Sequence, residues 1–236
     1  MSKGGQIHEG AVSTKLGMKG LPALAEVLML KRDLDLLAYT DSRLHVHNIS
    51  TAESVALIEA AKAKGLKVTA SVSVMNLVFD HTVLETFNAN FKLLPPLRQR
   101  SDSAALLAGL QDGTIDLVNS NHVPLEIEAK KLEFAYADFG AIGLGTTFAL
   151  LNTHFGKELG LEKIVEILAT APKSILNLPN SGIEQGTTAD LTIFDPKQTW
   201  TYQTNDIRSK SKNTPLLGME FRGKVRGVIN GTHSNL

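Results

Sequence analysis

Polar residues that could do chemistry collect at a few places in this 236-residue sequence. The stretch from Asp112 to Leu125, DGTIDLVNSNHVPL, sets Ser120, Asn121 and His122 directly after the apolar residues Ile115, Leu117 and Val118. A short apolar run of this kind suits a buried parallel strand, and parallel α/β barrels gather their chemistry at strand carboxyl ends. The segment RLHVHNIST carries His45 and His47, which share one face of a strand, with Asn48 on the opposite face. His8 and Glu9 are adjacent, so on an extended chain they point apart and do not make a metal pair. Metal-assisted hydrolysis needs about three protein ligands, an open position for water and a base to take its proton. A neutral amide such as that of Asn121 can hydrogen-bond a ligand but cannot act as that base.

Other chemistries find no support. Gly109, Gly113, Gly140, Gly143 and Gly145 are not spaced as a phosphate loop, and no nucleophile elbow surrounds any Ser. Absence of Cys excludes disulfides and thiolate chemistry and fits a cytoplasmic protein. With 24 basic and 24 acidic residues there is no electrostatic case for nucleic acid or an anionic membrane. No apolar run is long enough for a membrane span. The Lys-rich segment RSKSKNT, residues 208–214, reads as a solvated loop.

The elements that must position these residues follow from periodicity. Residues 1–20 are Gly-rich and read as loop. From Pro22 an amphipathic helix carries Leu24, Val27, Leu28, Leu30, Leu34 and Leu37. Arg43–Ile49 reads as a short strand, followed by STAE as a capping box and a helix to Gly65. LKVTASVSV is a β-branched strand, and the prolines of FKLLPPLR end any strand near Leu94. Ser101 or Asp102 can cap the helix SDSAALLAGLQDG, with Gly113 as its left-handed stop. In LEKIVEILATAPKSILNL, Pro172 starts a second helical piece. This alternation predicts βαβ units up to about residue 180 and then short strands between turns, without helices. The expected domains are 1–180, a partial α/β barrel, and 181–236, a small β segment.

The motif DGTID…S-N-H-V-P resembles the DGTID…S-D-H-A-P-H segment of dihydroorotases, members of the amidohydrolase superfamily. The resemblance runs from QIHEG and AVSTKLGMKGLPALAE through NFKLLPPLR to SKSKNTPLLG, nearly the whole chain but only the C-terminal part of the family's length. It implies a TIM-barrel-type parallel barrel that is incomplete at its N-terminus. An eight-unit barrel takes about 250 residues, and this chain supplies about four or five units. A longer natural chain, or completion by a partner, is therefore expected.

Activity is where the departures matter. The resemblance implies zinc-dependent opening and closing of the dihydroorotate ring in pyrimidine biosynthesis, but the positions that would carry it differ. The two family metal-ligand His positions hold Asn48 and Met75, and the catalytic Asp position holds Asn121. A thioether is a poor replacement for imidazole on hydrolytic zinc. Leu94 and Leu125 stand where the family contacts substrate through Asn and His. His122, Arg98 and the substrate-contacting pair Phe139 and Gly140 are kept. The expected protein is a dihydroorotase-like scaffold with lost or weak catalysis and no cofactor of its own. Its expected state is a homo-oligomer or a complex with dihydroorotase or aspartate carbamoyltransferase. The alternative is an active, zinc-dependent dihydroorotase or other cyclic-amide hydrolase in a full-length form, with His47 or His122 replacing lost groups. His45 and His47 are otherwise strand histidines with structural contacts.

Overall fold

The computed structural model describes residues 3–179 and 182–235. It is an α/β fold that divides into two compact units. One comprises Met1–Leu144 with Ile207–Pro215, the other Gly145–Asp206 with Leu216–Leu236.

The first unit begins with structure where a loop was expected. Strand β1 (Ile7–His8), helix α1 (Ala11–Lys15) and strand β2 (Gly20–Leu21) occupy the Gly-rich start, and β1 pairs in parallel with β2. Tertiary burial overrides local composition here: Ile7 and Val12 join Leu84 and Phe134 in one apolar cluster. Gly20 is required by the close approach of β1, since a Cβ there would lie 2.6 Å from that of Glu9.

Helix α2 (Ala23–Thr40) starts after Pro22 and buries Val27, Leu30, Leu34 and Leu37 along one face. Strand β3 (Leu44–Val46) is shorter than the predicted Arg43–Ile49. Helix α3 (Ala52–Ala63) is capped by Thr51, whose side chain accepts the Ser54 N–H, and not by Ser50. Ser50 is diverted because its N–H and hydroxyl both donate to the Glu26 carboxylate of α2. Strand β4 (Val68–Ser73) ends earlier than expected. Its last residue, Ser73, caps the short helix α4 (Val74–Val78) by accepting the Met75 N–H. After two 3-10 turns, His81–Thr86 and Ala89–Phe91, the FKLLPPLR stretch forms no strand.

Helix α5 (Arg100–Asp112) has Gln99 as its N-cap, not Ser101 or Asp102. Asp102 sits one turn in, accepting the Gln99 N–H at 3.1 Å and the Ala52 N–H of α3 at 2.9 Å. Gly113 closes the helix at φ 86, as a residue without Cβ can. Strand β5 (Leu117–Asn119) follows, and then helix α6 (Ile127–Lys130). Strands β3, β4 and β5 form a parallel sheet in that order, with Val46 opposite Ala70 and Ser73 opposite Asn119. Helix α3 packs against both α2 and α5.

The 208–214 segment is less solvated than predicted. Asn213 and Thr214 are buried, and the Lys212 ammonium donates to the carbonyls of Ile207 and Ser209.

In the second unit, α7 (Thr147–Phe155) is followed by α8 (Gly160–Val165). A π-helical stretch, Glu166–Thr170, then leads into α9 (Ala171–Ile175), with Pro172 in its first turn. Strands β6 (Asp190–Thr201), β7 (Glu220–Asn230) and β8 (His233–Asn235) make an antiparallel sheet. A 3-10 turn, Thr204–Asp206, interrupts the helix-free texture expected after residue 180. Trp200, Tyr202 and Phe221 stack edge-on or tilted at 5.6–6.0 Å between ring centres. No helix among the described residues is long and apolar enough to cross a membrane.

Candidate functional site

The carboxyl ends of β3, β4 and β5 carry a hydrogen-bond chain whose every direction is fixed. It starts from an unambiguous donor: the Asn121 backbone N–H reaches Asn119 Oδ1 at 2.8 Å. That orients the Asn119 amide, whose Nδ2 donates to Asn48 Oδ1 at 2.6 Å. Asn48 Nδ2 must then donate to His47 Nε2, 3.1 Å away, leaving the imidazole proton on Nδ1 and facing Ser71 Oγ at 3.3 Å. Ser71 Oγ also accepts the Asn48 N–H at 3.1 Å.

The expectation that His47 and Asn48 face opposite sides is therefore wrong. Strand β3 stops at Val46, and Asn48 adopts φ 60, so the two-residue alternation does not extend to them. His45 instead bonds Thr69 Oγ1 on the neighbouring strand at 2.8 Å.

This arrangement does not fit a metal ion. The lone pair that His47 could offer from Nε2 already receives the Asn48 amide. Asn48 is only 6% exposed and both ends of its amide are engaged. Met75 is 2% exposed within α4 and presents a thioether. Among the described residues, no group of three or more His, Cys, Asp or Glu side chains could hold a metal ion.

A cavity of about 420 Å³ opens beside this network. His47, Asn48 and Asn121 line it together with Leu94, Pro95, Pro96, Glu26 and Arg98. Asn121 adopts φ 43 and donates Nδ2 to the Leu94 carbonyl at 3.1 Å. His122 does not line the cavity. Its Nδ1 accepts the backbone N–H groups of Gly143 (3.2 Å) and Leu144 (3.3 Å), so it anchors a loop. Phe139, Gly140, Met75 and Leu125 also lie outside the lining. The Gly140 N–H donates to the Lys92 carbonyl, and its carbonyl accepts the Asn213 amide.

Arg98, kept in the resemblance, is the hub of a buried polar cluster. Only 4% exposed, it donates to Ser50 Oγ (3.0 Å), His8 Nδ1 (3.1 Å) and the Leu21 carbonyl (2.8 Å), and pairs with Glu26 at 3.5 Å. Burial lowers its pKa, opposed by the carboxylates of Glu26 and Asp102. His8 is held down to about 4 by burial first, then by Arg98 and His81.

Sequence reading missed Glu26, Asn119, Lys92 and Asn213. Glu26 accepts from Ser50, Thr51 and Ser54. The Lys92 ammonium is buried on the carbonyls of Phe134, Ala135 and Ala137 and lies 4.9 Å from the Phe139 ring centre. Asn213 Nδ2 donates to the Val123 carbonyl, while its Oδ1 accepts the Leu125 N–H. An Asn–Thr pair at the end of a Lys-rich run was the only local signal for the last.

No protein-family model matches the chain. Among curated proteins it is 38% identical over 226 residues to a dihydroorotase of Syntrophus aciditrophicus, covering 95% of this chain and 53% of that protein. It is 41% identical over 222 residues to a dihydroorotase of Carboxydothermus hydrogenoformans, covering 93% and 52%. The likeness supports the amidohydrolase family. Solved structures agree on the fold. An L-hydantoinase (dihydropyrimidinase) from Arthrobacter aurescens superposes with a TM-score of 0.84 at 26% identity, over 90% of this chain and 49% of that one. An inactive dihydroorotase-like domain of a Chaetomium thermophilum CAD-like multifunctional protein matches with a TM-score of 0.67. Its 23% identity, over 87% of this chain and 54% of that one, speaks to the α/β fold alone. The chain spans about half the length of the curated dihydroorotases it matches.

Proposed function

We propose that this chain is a dihydroorotase-type polypeptide of pyrimidine biosynthesis, the C-terminal part of an amidohydrolase barrel, that acts without metal catalysis. On this reading residues 1–180 belong to the barrel and 181–236 flank it. Its work is to scaffold a homo-oligomer or a complex with an active dihydroorotase or aspartate carbamoyltransferase.

The observation that carries the reading is the closed chain Asn121–Asn119–Asn48–His47–Ser71. It engages the one imidazole at the cavity and supplies no carboxylate base at Asn121. Binding an ion at His47 Nε2 would strand the Asn48 N–H and disturb each amide back to Asn121. Relatives named dihydroorotase support the pathway, and the side chains support the loss of chemistry.

The test is metal content by plasma mass spectrometry and dihydroorotate turnover, before and after incubation with zinc. No retained zinc and no turnover are expected, whereas stoichiometric zinc with metal-dependent turnover would refute the proposal. Light scattering, alone and with aspartate carbamoyltransferase, tests the scaffold role; a monomer under both conditions counts against it.

A further inference from the structure

Helix α2 is apolar on two faces. Val27, Leu30, Leu34 and Leu37 are buried. Leu24, Leu28, Met29, Leu36 and Tyr39 project away from that stripe into solvent, Tyr39 at 89% exposure. The neighbouring helices are built otherwise. Neither α3 nor α5 exposes a large apolar side chain, and their outer positions hold residues such as Glu53, Glu59 and Ala60, or Arg100, Ser101 and Gln111. A surface helix is ordinarily polar on the side away from the core, and a run of exposed apolar groups marks a contact surface.

The pattern on that face selects its occupant. Ala25, Leu28, Arg32, Asp35 and Tyr39 recur at alternating spacings of three and four, with Met29 and Leu36 alongside. This is the spacing of a seam that meets another helix. Two copies laid antiparallel, with a two-fold axis between Asp33 and Leu34, bring Arg32 of each copy to Asp35 of the other. The same register brings Leu28 of each copy to Tyr39 of the other. Laid parallel, Arg32 would meet Arg32 and Asp35 would meet Asp35, so the seam complements itself in one direction only. Both charges are free to turn to a second copy. Arg32 is held by an exposed pair with the adjacent Asp33 at 2.6 Å, and Asp35 is exposed with no ion pair among the described residues. The helix has 18 residues, a length of about 27 Å, so all of these layers fall within it.

We propose that the outer face of α2 is the contact between two copies of this chain, paired α2 against α2 and antiparallel about a two-fold axis. The proposal rests on the homo-oligomer reading above and gives that oligomer its face and its register.

Sedimentation velocity on the 236-residue chain over a concentration series tests it. A reversible monomer–dimer equilibrium is expected. Leu28→Glu with Leu36→Glu, at positions exposed in the monomer, should weaken the dimer roughly hundredfold or more. Arg32→Glu sets a carboxylate against Asp35, and Asp35→Arg sets two guanidinium groups together. Each alone should weaken the dimer roughly tenfold, and the two combined should restore it. Should a variant fold poorly by circular dichroism, amide shifts of the unmodified chain on dilution decide the matter; they should gather on α2 between Leu24 and Tyr39. A monomer up to about 100 μM, a dimer indifferent to these substitutions, no recovery in the charge-swapped pair, or dilution shifts confined elsewhere would each overturn the proposal. The two ideas part on the same sample: zinc-dependent turnover by a dimer sinks the function proposed above, while a dimer indifferent to α2 sinks only this contact.

Discussion

Acid should weaken this fold through the imidazole of His8, and the size of that effect can be worked out. His8 is 5% exposed, bonded to Arg98 at 3.1 Å and 5.4 Å from the His81 ring. Burial, then Arg98, then His81 hold its pKa at about 4, against the opposing pull of Asp102 and an ordinary value of 6.5. Between these values the unfolded chain binds a proton that the folded chain refuses. The contribution is therefore whole above about pH 6.5 and is lost as the pH falls toward 4. Integrating the linkage relation gives a loss of about 2 kcal/mol by pH 5 and about 3 kcal/mol by pH 4. Urea unfolding of the unmodified chain and of His8→Asn, at matched pH values, isolates this term because the other titrations cancel in the difference. Asn still offers Arg98 an acceptor and does not titrate. The stability difference between the two proteins should shift by about 3 kcal/mol in favour of the variant on going from neutral pH to pH 4. Parallel stability curves, or a His8 proton resonance that titrates near its ordinary value, would refute the reasoning.

Three further outcomes follow from single residues. Asn213→Ala removes the donors to the Val123 and Gly140 carbonyls and the acceptor of the Leu125 N–H, so it should cost about 2–3 kcal/mol in urea unfolding. Gly140→Ala forces a Cβ to 2.6 Å from Val123 Cγ1 at φ 141, and a loss of about 2 kcal/mol or more is expected by the same measurement. Lys130 is pulled down to about 8 by burial and then by the Lys92 ammonium, against Asp138. At mildly alkaline pH, trace acetylation read by mass spectrometry should modify it roughly tenfold faster than an ordinary exposed lysine; a rate equal to theirs would contradict that environment.

Local pattern carried much of the frame. The apolar spacing of α2, the β-branched run of β4 and the Gly113 stop of α5 all depend on neighbours in sequence, and each stands in the structure. Cap positions were misread where a distant partner competed. Ser50 was drawn off by Glu26, 24 residues away, and Asp102 was shared with α3, 50 residues away. The first 20 residues misled for the same reason, since their order comes from a core completed by Leu84 and Phe134. At the site, sequence identified Asn48, Leu94 and Asn121, which meet at one cavity, while His122, Met75, Phe139 and Gly140 lie apart from it. Asn119 could not be found locally, because its role is set by Asn48, 71 residues distant.

The start of α3 is held by carboxylates from both helices that flank it: Glu26 of α2 takes Ser50 and Ser54, and Asp102 of α5 takes the Ala52 N–H. Helix α3 thus begins on its own Thr51 cap and on two carboxylates borrowed from its neighbours. Excised as a peptide it would keep the cap and lose both carboxylates, so the Ala52 N–H and the Ser50 and Ser54 hydroxyls would lose the partners they have in the intact protein. Hydrogen exchange at Ala52 should then report separation of the three-helix junction and not local breathing of one helix.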